Sequence, residues 1–181
     1  VAITGREEAM PRVLQLVEDK SMPVRFAAVM AIGDMDYIYG TEEVRDVLED
    51  ESENDNVRVA AAYALTKMGH GDYKDRLYDA LASRDRKLSS NAAMLLGKLG
   101  DKSAIKRLQE EIRRPATPEA TRIRAMESIA MLGDKSKSTL KRLWPLLISK
   151  YADDKAAGIK GMAYMDTEES RTALETMLRD E

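Results

Sequence analysis

The sequence predicts an all-α fold, a right-handed solenoid of about five helix pairs preceded by a leading half-repeat. The first observation is a segment that recurs five times with the same apolar pattern. Equivalent apolar positions follow one another at intervals of 33, 31, 33 and 33 residues, at Ile32, Leu65, Leu96, Ile129 and Met162. The second observation is that the pattern has the spacing of helices throughout. A repeat of this length and helical content is typical of a solenoid built from stacked helix pairs.

The first helix of each repeat, helix A, is predicted from an amphipathic stripe. In the second repeat, apolar residues occupy positions i, i+3, i+4, i+7 and i+8 from Val57 to Leu65, which is one face of a helix. The five A helices are predicted at Val24–Met35, Val57–Gly69, Leu88–Gly100, Arg122–Gly133 and Lys155–Asp166. One column of this stripe contains only small residues, which indicates close helix packing: Ala28, Ala61, Ala92, Ala125 and Gly158.

A turn residue follows the last apolar position of each A helix. These turn residues are Asp36, Gly69, Gly100, Gly133 and Asp166. Because glycine readily takes the left-handed backbone conformation that ends a helix, we expect such a turn in each repeat. The first repeat also has about three extra residues here, within Tyr37-Ile38-Tyr39-Gly40, which predicts a local insertion.

A second helix, helix B, is predicted after each turn. Thr41, Ser103 and Ser136 precede the apolar runs of three B helices and are predicted N-caps. The apolar set of the fourth B helix comprises Leu140, Leu143, Leu147 and Ile148. Pro145 falls within this helix, where proline should cause a kink and free a carbonyl.

The chain is expected to begin in the middle of a repeat. Residues 6–17 have the pattern of a helix B without its partner, so a further helix A is expected upstream of Val1, in a longer chain. The array is predicted to be one domain over residues 1–181, divided into a half-repeat at 1–19 and repeats at about 20–52, 53–84, 85–117, 118–150 and 151–181. No apolar run approaches the roughly 20 residues that a membrane-spanning helix needs.

Composition and charge exclude several kinds of site. The chain has no cysteine, which excludes disulfides, thiolate metal sites and cysteine nucleophiles. Its net charge of −3 disfavours bulk nucleic-acid binding. The charge is unevenly distributed, however: ten acids and one base give residues 34–55 a charge of −9, while thirteen bases and six acids give residues 98–150 a charge of +7.

The repeats resemble HEAT repeats of the short bacterial kind, the PBS-lyase HEAT-like repeats. The motif of that family consists of an acidic linker, Val-Arg, alternating alanines and Leu-Gly-x-Leu-Gly-Asp. This chain has similar motifs at residues 55–69 and 95–101. The resemblance covers essentially the whole chain and implies a scaffold that binds proteins along a concave surface of B helices. It also implies that the Arg after Val pairs with an Asp of a neighbouring linker. The matching residues are Arg25, Arg58, Arg122 and Lys155, while Ser89 departs from the pattern.

The resemblance also extends to enzymes of the same superfamily, which depend on particular sets of residues. Deoxyhypusine hydroxylases hold two irons with repeated His-Glu pairs, whereas this chain has one histidine, His70, which is followed by Gly71. Phycobilin lyases handle a tetrapyrrole, and the sequence has no distinct pocket-forming set for one. HEAT-type alkylpurine DNA glycosylases use basic, aromatic-lined grooves and stay open as an alternative. The sequence therefore predicts a protein that is not an enzyme, with no catalytic, cofactor-binding or metal-binding residues.

Three other polar features are interpreted as solvated surface. His70 lies in a glycine-rich turn without a second ligand or base nearby. The acidic stretch 42–55 lacks the spacing of a calcium-binding loop. The third B helix is expected to pair its own charges at i,i+4, as Lys106–Glu110, Arg107–Glu111 and Glu110–Arg114.

The fourth B helix offers the best candidate for a binding surface. Lys137 and Lys141 are like-charged at i,i+4 and have no acid nearby beyond Asp134, so an external anion could stabilise them. The predicted partner-binding residues are Lys102, Lys135, Lys137, Lys141, Arg142 and Trp144. The predicted function is a scaffold that binds a protein partner, possibly an acidic one, with nucleic-acid or polyanion binding through residues 98–150 as the alternative. A merely solubilising surface, with Trp144 in the core, also fits the sequence.

Overall fold

The structure, a computed structural model, describes residues 5–179, with side chains from residue 9 onward. Within this range it contains eleven α-helices and no strand. The prediction of an all-α solenoid is confirmed, because the helices follow one another as repeated pairs. The partner helix expected upstream of Val1 lies outside the described residues.

The chain forms two compact units, residues 1–80 and 81–181. The helices of the first unit are α1 (Gly5–Gln15), α2 (Met22–Asp34), α3 (Thr41–Glu49), α4 (Asp55–Lys67) and α5 (Lys74–Leu81). Helix α1, followed by a 3-10 turn at Leu16–Glu18, occupies the place of the predicted half-repeat. Helices α2 and α4 are A helices, whereas α3 and α5 are B helices. The predicted insertion forms a second 3-10 turn, Ile38–Gly40, before α3.

The second unit continues the same alternation. Its helices are α6 (Arg86–Leu99), α7 (Ala104–Arg113), α8 (Glu119–Met131), α9 (Lys137–Leu147), α10 (Ala152–Met165) and α11 (Glu168–Arg179). Helices α6, α8 and α10 are A helices, and α7, α9 and α11 are B helices. The core between them includes Ile123, Leu143 and Met162, which are almost fully buried.

All five predicted turn residues have a left-handed backbone. Their φ angles are 52° at Asp36, 76° at Gly69, 76° at Gly100, 91° at Gly133 and 47° at Asp166. In three repeats the next residue donates its N–H to the carbonyl of the buried column residue: Tyr37 to Ile32, His70 to Leu65 and Asp134 to Ile129. This bond returns the chain onto the helix end in the manner of a Schellman motif.

The A helices begin two or three residues earlier than predicted, and in two of them, α4 and α6, a linker residue acts as the cap. Asp85 accepts the N–H groups of Lys87 and Leu88, at 2.8 and 2.9 Å. Asn54 likewise accepts the N–H of Asn56 at 3.0 Å. Short polar side chains at this position satisfy N–H groups that lack a partner within the helix.

Of the three predicted B-helix caps, only one is correct. Ser136 accepts the Thr139 N–H at 3.3 Å. Ser103 has helical backbone angles and makes no capping bond, and its own N–H donates to Asp101. Thr41 lies within α3, and its hydroxyl donates to the Ile38 carbonyl at 2.7 Å. Asp101 therefore orders the start of α7, and the 3-10 turn Ile38–Gly40 orders the start of α3.

The column of small residues is buried as predicted, with exposed fractions of 3% at Ala28 and 0% at Ala61, Ala92 and Ala125. The structure shows a second set of small residues that the sequence analysis missed. A Cβ placed on Gly33 would lie 2.6 Å from Cα of Ala64, and one placed on Gly97 would lie 2.7 Å from Cβ of Ser128. Consecutive A helices, α2 with α4 and α6 with α8, are therefore in close contact at these glycines.

The ladder of Arg–Asp pairs implied by the resemblance is largely wrong. Only Arg25 reaches an acid of the next linker, and that acid is Glu53, with two contacts of 2.6 and 2.7 Å. Arg58 and Arg122 instead contact acids of their own helices, Asp55 and Glu119, at i,i+3.

The shared role of these arginines is contact with carbonyl groups of the preceding segment. Arg25 donates to the carbonyl of Asp19 at 2.8 Å, Arg58 to that of Leu48 at 3.3 Å and Arg122 to that of Pro115 at 2.8 Å. The end of a helix leaves carbonyls without partners, so a long cationic side chain from the next helix A can satisfy them.

Ser89 replaces the arginine with a buried hydroxyl pair. Its Oγ lies 2.8 Å from Oγ1 of Thr121 in the next helix A. Both residues have an exposed fraction of 0%. The position that departs from the family pattern therefore still links two consecutive repeats, by a neutral hydrogen bond.

The close approach at Gly97 leads to a first prediction. Gly97→Ala should lower the free energy of unfolding by about 1–3 kcal/mol, because the added methyl overlaps Ser128. Introducing Ser128→Gly should reduce this loss. Gly100→Ala is the control: nothing lies within 4 Å of its added Cβ, so its loss comes from backbone strain and should be unaffected by Ser128→Gly. Urea denaturation of the single and double variants measures these differences, and an equal Gly97→Ala loss in both backgrounds would contradict the packing explanation.

The Arg25–Glu53 pair leads to a second prediction. The hydrogen bonds from Arg25 lower the pKa of Glu53 below its ordinary value of 4.5. A carboxyl with a lowered folded-state pKa stabilises the fold above its unfolded-state pKa, and this contribution is lost as the pH falls through the lowered pKa. Glu53→Gln should therefore reduce stability at neutral pH and flatten its decline below pH 4.5.

Urea denaturation followed by circular dichroism at a series of acidic pH values measures both effects. Glu42→Gln is the matched control, because Glu42 pairs with Arg45 at 3.1 Å but is 78% exposed. The Glu42 variant should follow the wild type closely. Parallel stability curves for the wild type and the Glu53 variant below pH 4.5 would show that Glu53 is not responsible for acid sensitivity.

Candidate partner-binding surface

Helix α9 carries four of the predicted binding residues, Lys137, Lys141, Arg142 and Trp144. Its inward side is buried at Thr139, Leu143, Leu146 and Leu147. Ser136 caps its first turn, and Asp134 accepts the Thr139 hydroxyl at 2.9 Å. As predicted, Pro145 lies inside the helix, which ends two residues later at Leu147. Helix α9 itself contains no acidic residue.

The outward side of α9 combines cationic and apolar side chains. Lys137, Lys141, Trp144 and Ile148 follow one another at i, i+4, i+7 and i+11, a spacing that places them on one stripe of a helix. We call these four residues the α9 stripe. Trp144 is 46% exposed and Ile148 is 81% exposed. Both lysines are exposed, and neither has an ion-pair partner among the described residues.

The expectation that Ile148 belongs to the buried apolar set is wrong. The buried side of α9 is centred on Leu143, Leu146 and Leu147. At about 100° per residue, Ile148 lies well round from that centre and points outward. The core interpretation of Trp144 is also wrong, since almost half of the residue is exposed.

A groove runs beside the apolar half of the α9 stripe. Its volume is about 330 Å³. Helices α9, α10 and α11 provide its lining, which comprises Trp144, Leu147, Ile148, Lys155, Ala173, Thr176 and Met177. Lys155 is the one charged residue in this lining. The groove is therefore suited to an apolar side chain with an acidic neighbour.

The other predicted residues lie away from the stripe. Arg142 is on the flank of α9 that faces α7, where it lines a small pocket with Arg113. Lys102 extends beside the next turn, with Nζ 3.9 Å from the position of a Cβ on Gly133. Lys135 lies near Asp166, whose pKa is lowered first by a hydrogen bond from Arg171 and also by the charge of Lys135. Partner binding by the six predicted residues stays a prediction: Lys102, Lys135, Lys137, Lys141, Arg142 and Trp144.

Helix α7 pairs its charges, although not at the predicted spacing. Arg107 contacts Glu110 at 3.5 Å and Arg114 contacts Glu111 at 3.0 Å, both at i,i+3. Glu111 is held in place by the Thr117 hydroxyl, which donates to it at 2.8 Å. Arg113 is the residue that the sequence analysis missed. The residue four positions before Arg113 is Gln109, which is not acidic. This was the sequence signal that Arg113 has no i,i+4 ion-pair partner.

The remaining sequence candidates lie elsewhere. His70 is exposed in its turn. The acidic stretch borders a cleft of about 540 Å³ in the first unit, where Glu43, Asp46 and Asp50 line the walls with Arg25 and Glu53. The described part of the chain has no group of three or more His, Cys, Asp or Glu side chains placed to hold a metal ion. Among the described helices, none is long and apolar enough to cross a membrane.

Comparisons with known proteins agree with this architecture. A family model described as HEAT repeats matches residues 50–120, and one described as HEAT repeat matches residues 9–38. No curated protein sequence matches the chain. One similar solved structure is a chain in the complex of CpcE and CpcF of phycocyanin lyase from Nostoc sp. PCC7120. The two chains are 19% identical, with a TM-score of 0.54. The match covers 88% of this chain and 66% of that one, slightly under two thirds of its length.

A second solved structure has a weaker likeness. Human deoxyhypusine hydroxylase in complex with glycerol is 12% identical, with a TM-score of 0.42, over 87% of this chain and 84% of that one. The family matches carry the assignment, and the helix pairs and left-handed turns agree with it. The chain is therefore a HEAT-repeat protein.

Proposed function

We propose that the chain is a non-enzymatic scaffold that binds an acidic protein partner along its B helices, with the α9 stripe as the docking site. The observation that carries this proposal is the composition of that stripe, where two lysines without ion-pair partners continue into an exposed Trp144 and Ile148. Tryptophan is enriched among residues that dominate binding energy. A partner segment with acidic residues followed by an apolar anchor would complement both halves.

A solubilising role explains the stripe less well. Like charges at i,i+4 destabilise a helix by roughly 0.2–0.5 kcal/mol, and exposed Trp and Ile side chains do not improve solubility. An apolar groove adjoins them, so the partner's side chain would be removed from water on several sides. The fold is compatible with this use, since the similar chain from Nostoc was solved in a complex of two proteins.

Site-specific photo-crosslinking tests where a partner docks. A photoreactive amino acid at position 148 of the full-length chain should capture a protein in the native extract. The same amino acid at Tyr39, which is 77% exposed in the first unit, is the matched control and should not capture that protein. The adduct is identified by mass spectrometry, and the partner is then purified. Equal capture from both positions would contradict docking on α9.

Association kinetics with the purified partner provide the next prediction. The double variant Lys137→Glu/Lys141→Glu should associate about tenfold or more slowly, because charged surfaces steer an encounter at low salt. The wild-type association rate should itself fall as salt rises. Lys87→Glu/Lys160→Glu makes the same charge change at exposed positions of α6 and α10 and should have a smaller effect. Stopped-flow mixing measures the rates, and equal slowing by the two variants would remove the α9 stripe as the docking site.

Polyanion binding through residues 98–150 is the competing proposal, and the same variants test it. If nucleic acid is the ligand, the wild type should bind unrelated duplexes and single strands with a steep salt dependence. Tight binding of this kind at low salt, lost in the Lys137/Lys141 variant, would replace the protein-scaffold proposal.

A further inference from the structure

A small pocket lies between α7, α8 and α9, on the flank of α9 opposite the apolar groove. Its volume is about 40 Å³. The apolar floor consists of Ile112, Met126 and Ile129, and the polar rim consists of Gln109, Arg113, Ser138, Thr139 and Arg142. A single water needs roughly 10–15 Å³ of such space. The pocket therefore has room for a small group the size of a carboxylate.

Two cationic side chains line this pocket without an acidic partner. Neither Arg113 nor Arg142 makes an ion pair with the described residues, and both are exposed at the rim. Their neighbours differ: Arg107 and Arg114 of α7 contact Glu110 and Glu111. The pairing within α7 thus uses its acids and leaves Arg113 available.

We infer that this pocket binds the carboxylate of an acidic side chain on the protein partner that docks on α9, an inference that rests on the proposed function. Each guanidinium presents several N–H donors in a planar fork that matches a carboxylate. Gln109 and Ser138 offer neutral donors at the same rim. The floor of Ile112 and Met126 suits the methylene groups of a glutamate, which connect its carboxylate to the partner backbone.

A protein carboxylate fits this place better than a nucleic-acid phosphate. Phosphate backbones are bound along a continuous track of cations, whereas α7 places the partly exposed Glu110 three residues before Arg113. A strand that followed this wall would meet that acid. A single side chain entering from above α9 would reach the two arginines alone.

The test uses peptides, since the partner is unidentified. Random 12-residue peptides displayed on phage are selected on the intact chain, and the enriched peptides are synthesised. We expect them to share an acidic residue beside an apolar one. Replacing that Glu by Gln in the peptide should weaken binding to the wild type by about tenfold or more. The same replacement should change binding to an Arg113→Gln/Arg142→Gln variant by less than about twofold.

Matched variants keep the result specific to the pocket. Arg107→Gln removes one positive charge from the same helix outside the pocket and should preserve the sensitivity to the peptide's Glu. The two single variants, Arg113→Gln and Arg142→Gln, should show non-additive losses, because both arginines hold one carboxylate. Thermal denaturation of each variant confirms that these exposed substitutions leave the fold intact. Nuclear magnetic resonance of the arginine side-chain N–H groups should show shifts at Arg113 and Arg142 on peptide binding.

The outcomes separate this inference from the proposed function. Peptides that lose binding with Trp144→Ala, but respond to Glu→Gln equally on the wild type and the Arg113/Arg142 variant, would overturn the carboxylate pocket and leave the α9 stripe standing. Enriched peptides without an acidic residue would overturn it as well. Failure to select any peptide, or selected peptides that ignore both Trp144 and the arginines, would contradict docking on α9 itself. Tight binding of a labelled single-stranded oligonucleotide that requires both arginines would assign the pocket to phosphate.

Discussion

The left-handed turn at the end of each helix A is the constraint on which the rest of the structure depends. All five turn residues have positive φ, and three of them are glycines. After three of these turns, the next N–H bonds to the carbonyl of the buried column residue, so the turn is fixed relative to the core. Helices α7 and α9 consequently start at the same distance after their turn glycines Gly100 and Gly133, at Ala104 and Lys137.

The packing of the A helices determines what the B helices can present. Gly33 and Gly97 allow consecutive A helices to approach until an added methyl would overlap the neighbour. Arginine side chains and the Ser89–Thr121 hydroxyl pair then link consecutive repeats. With these contacts satisfied within the fold, the outward side chains of the B helices are left to vary. Helices α7 and α9 occupy equivalent places, yet α7 contains acids that pair with Arg107 and Arg114, whereas α9 contains no acid and leaves its bases unpaired.

The sequence predicts what depends on local geometry and periodicity. The five turns and the buried small column follow from glycine's backbone freedom and helical spacing, and they are confirmed. What depends on flexible side chains is predicted poorly. Arg58 was expected to reach an acid of a neighbouring linker, but it contacts Asp55 of its own helix and a carbonyl at the end of the preceding helix. Ile148 fits an apolar spacing yet lies outside the buried side of α9. The sequence could not predict that Arg113 and Arg142 line the same pocket, because this depends on how α7 and α9 are placed in the fold.

The outward side of α9 has two features that are unfavourable for a helix exposed only to water. An acid at either end of the Lys137–Lys141 spacing would replace repulsion by a favourable pair worth a few tenths of a kcal/mol, and α7 shows that this fold accommodates such pairs. A polar residue in place of Trp144 would remove an apolar surface that is almost half exposed. Each change needs one substitution at an exposed position. The like-charged lysine pair and the exposed Trp144 lie on one stripe, beside a groove whose lining contains a single cationic residue. A partner that supplies acidic and apolar groups together therefore accounts for both features.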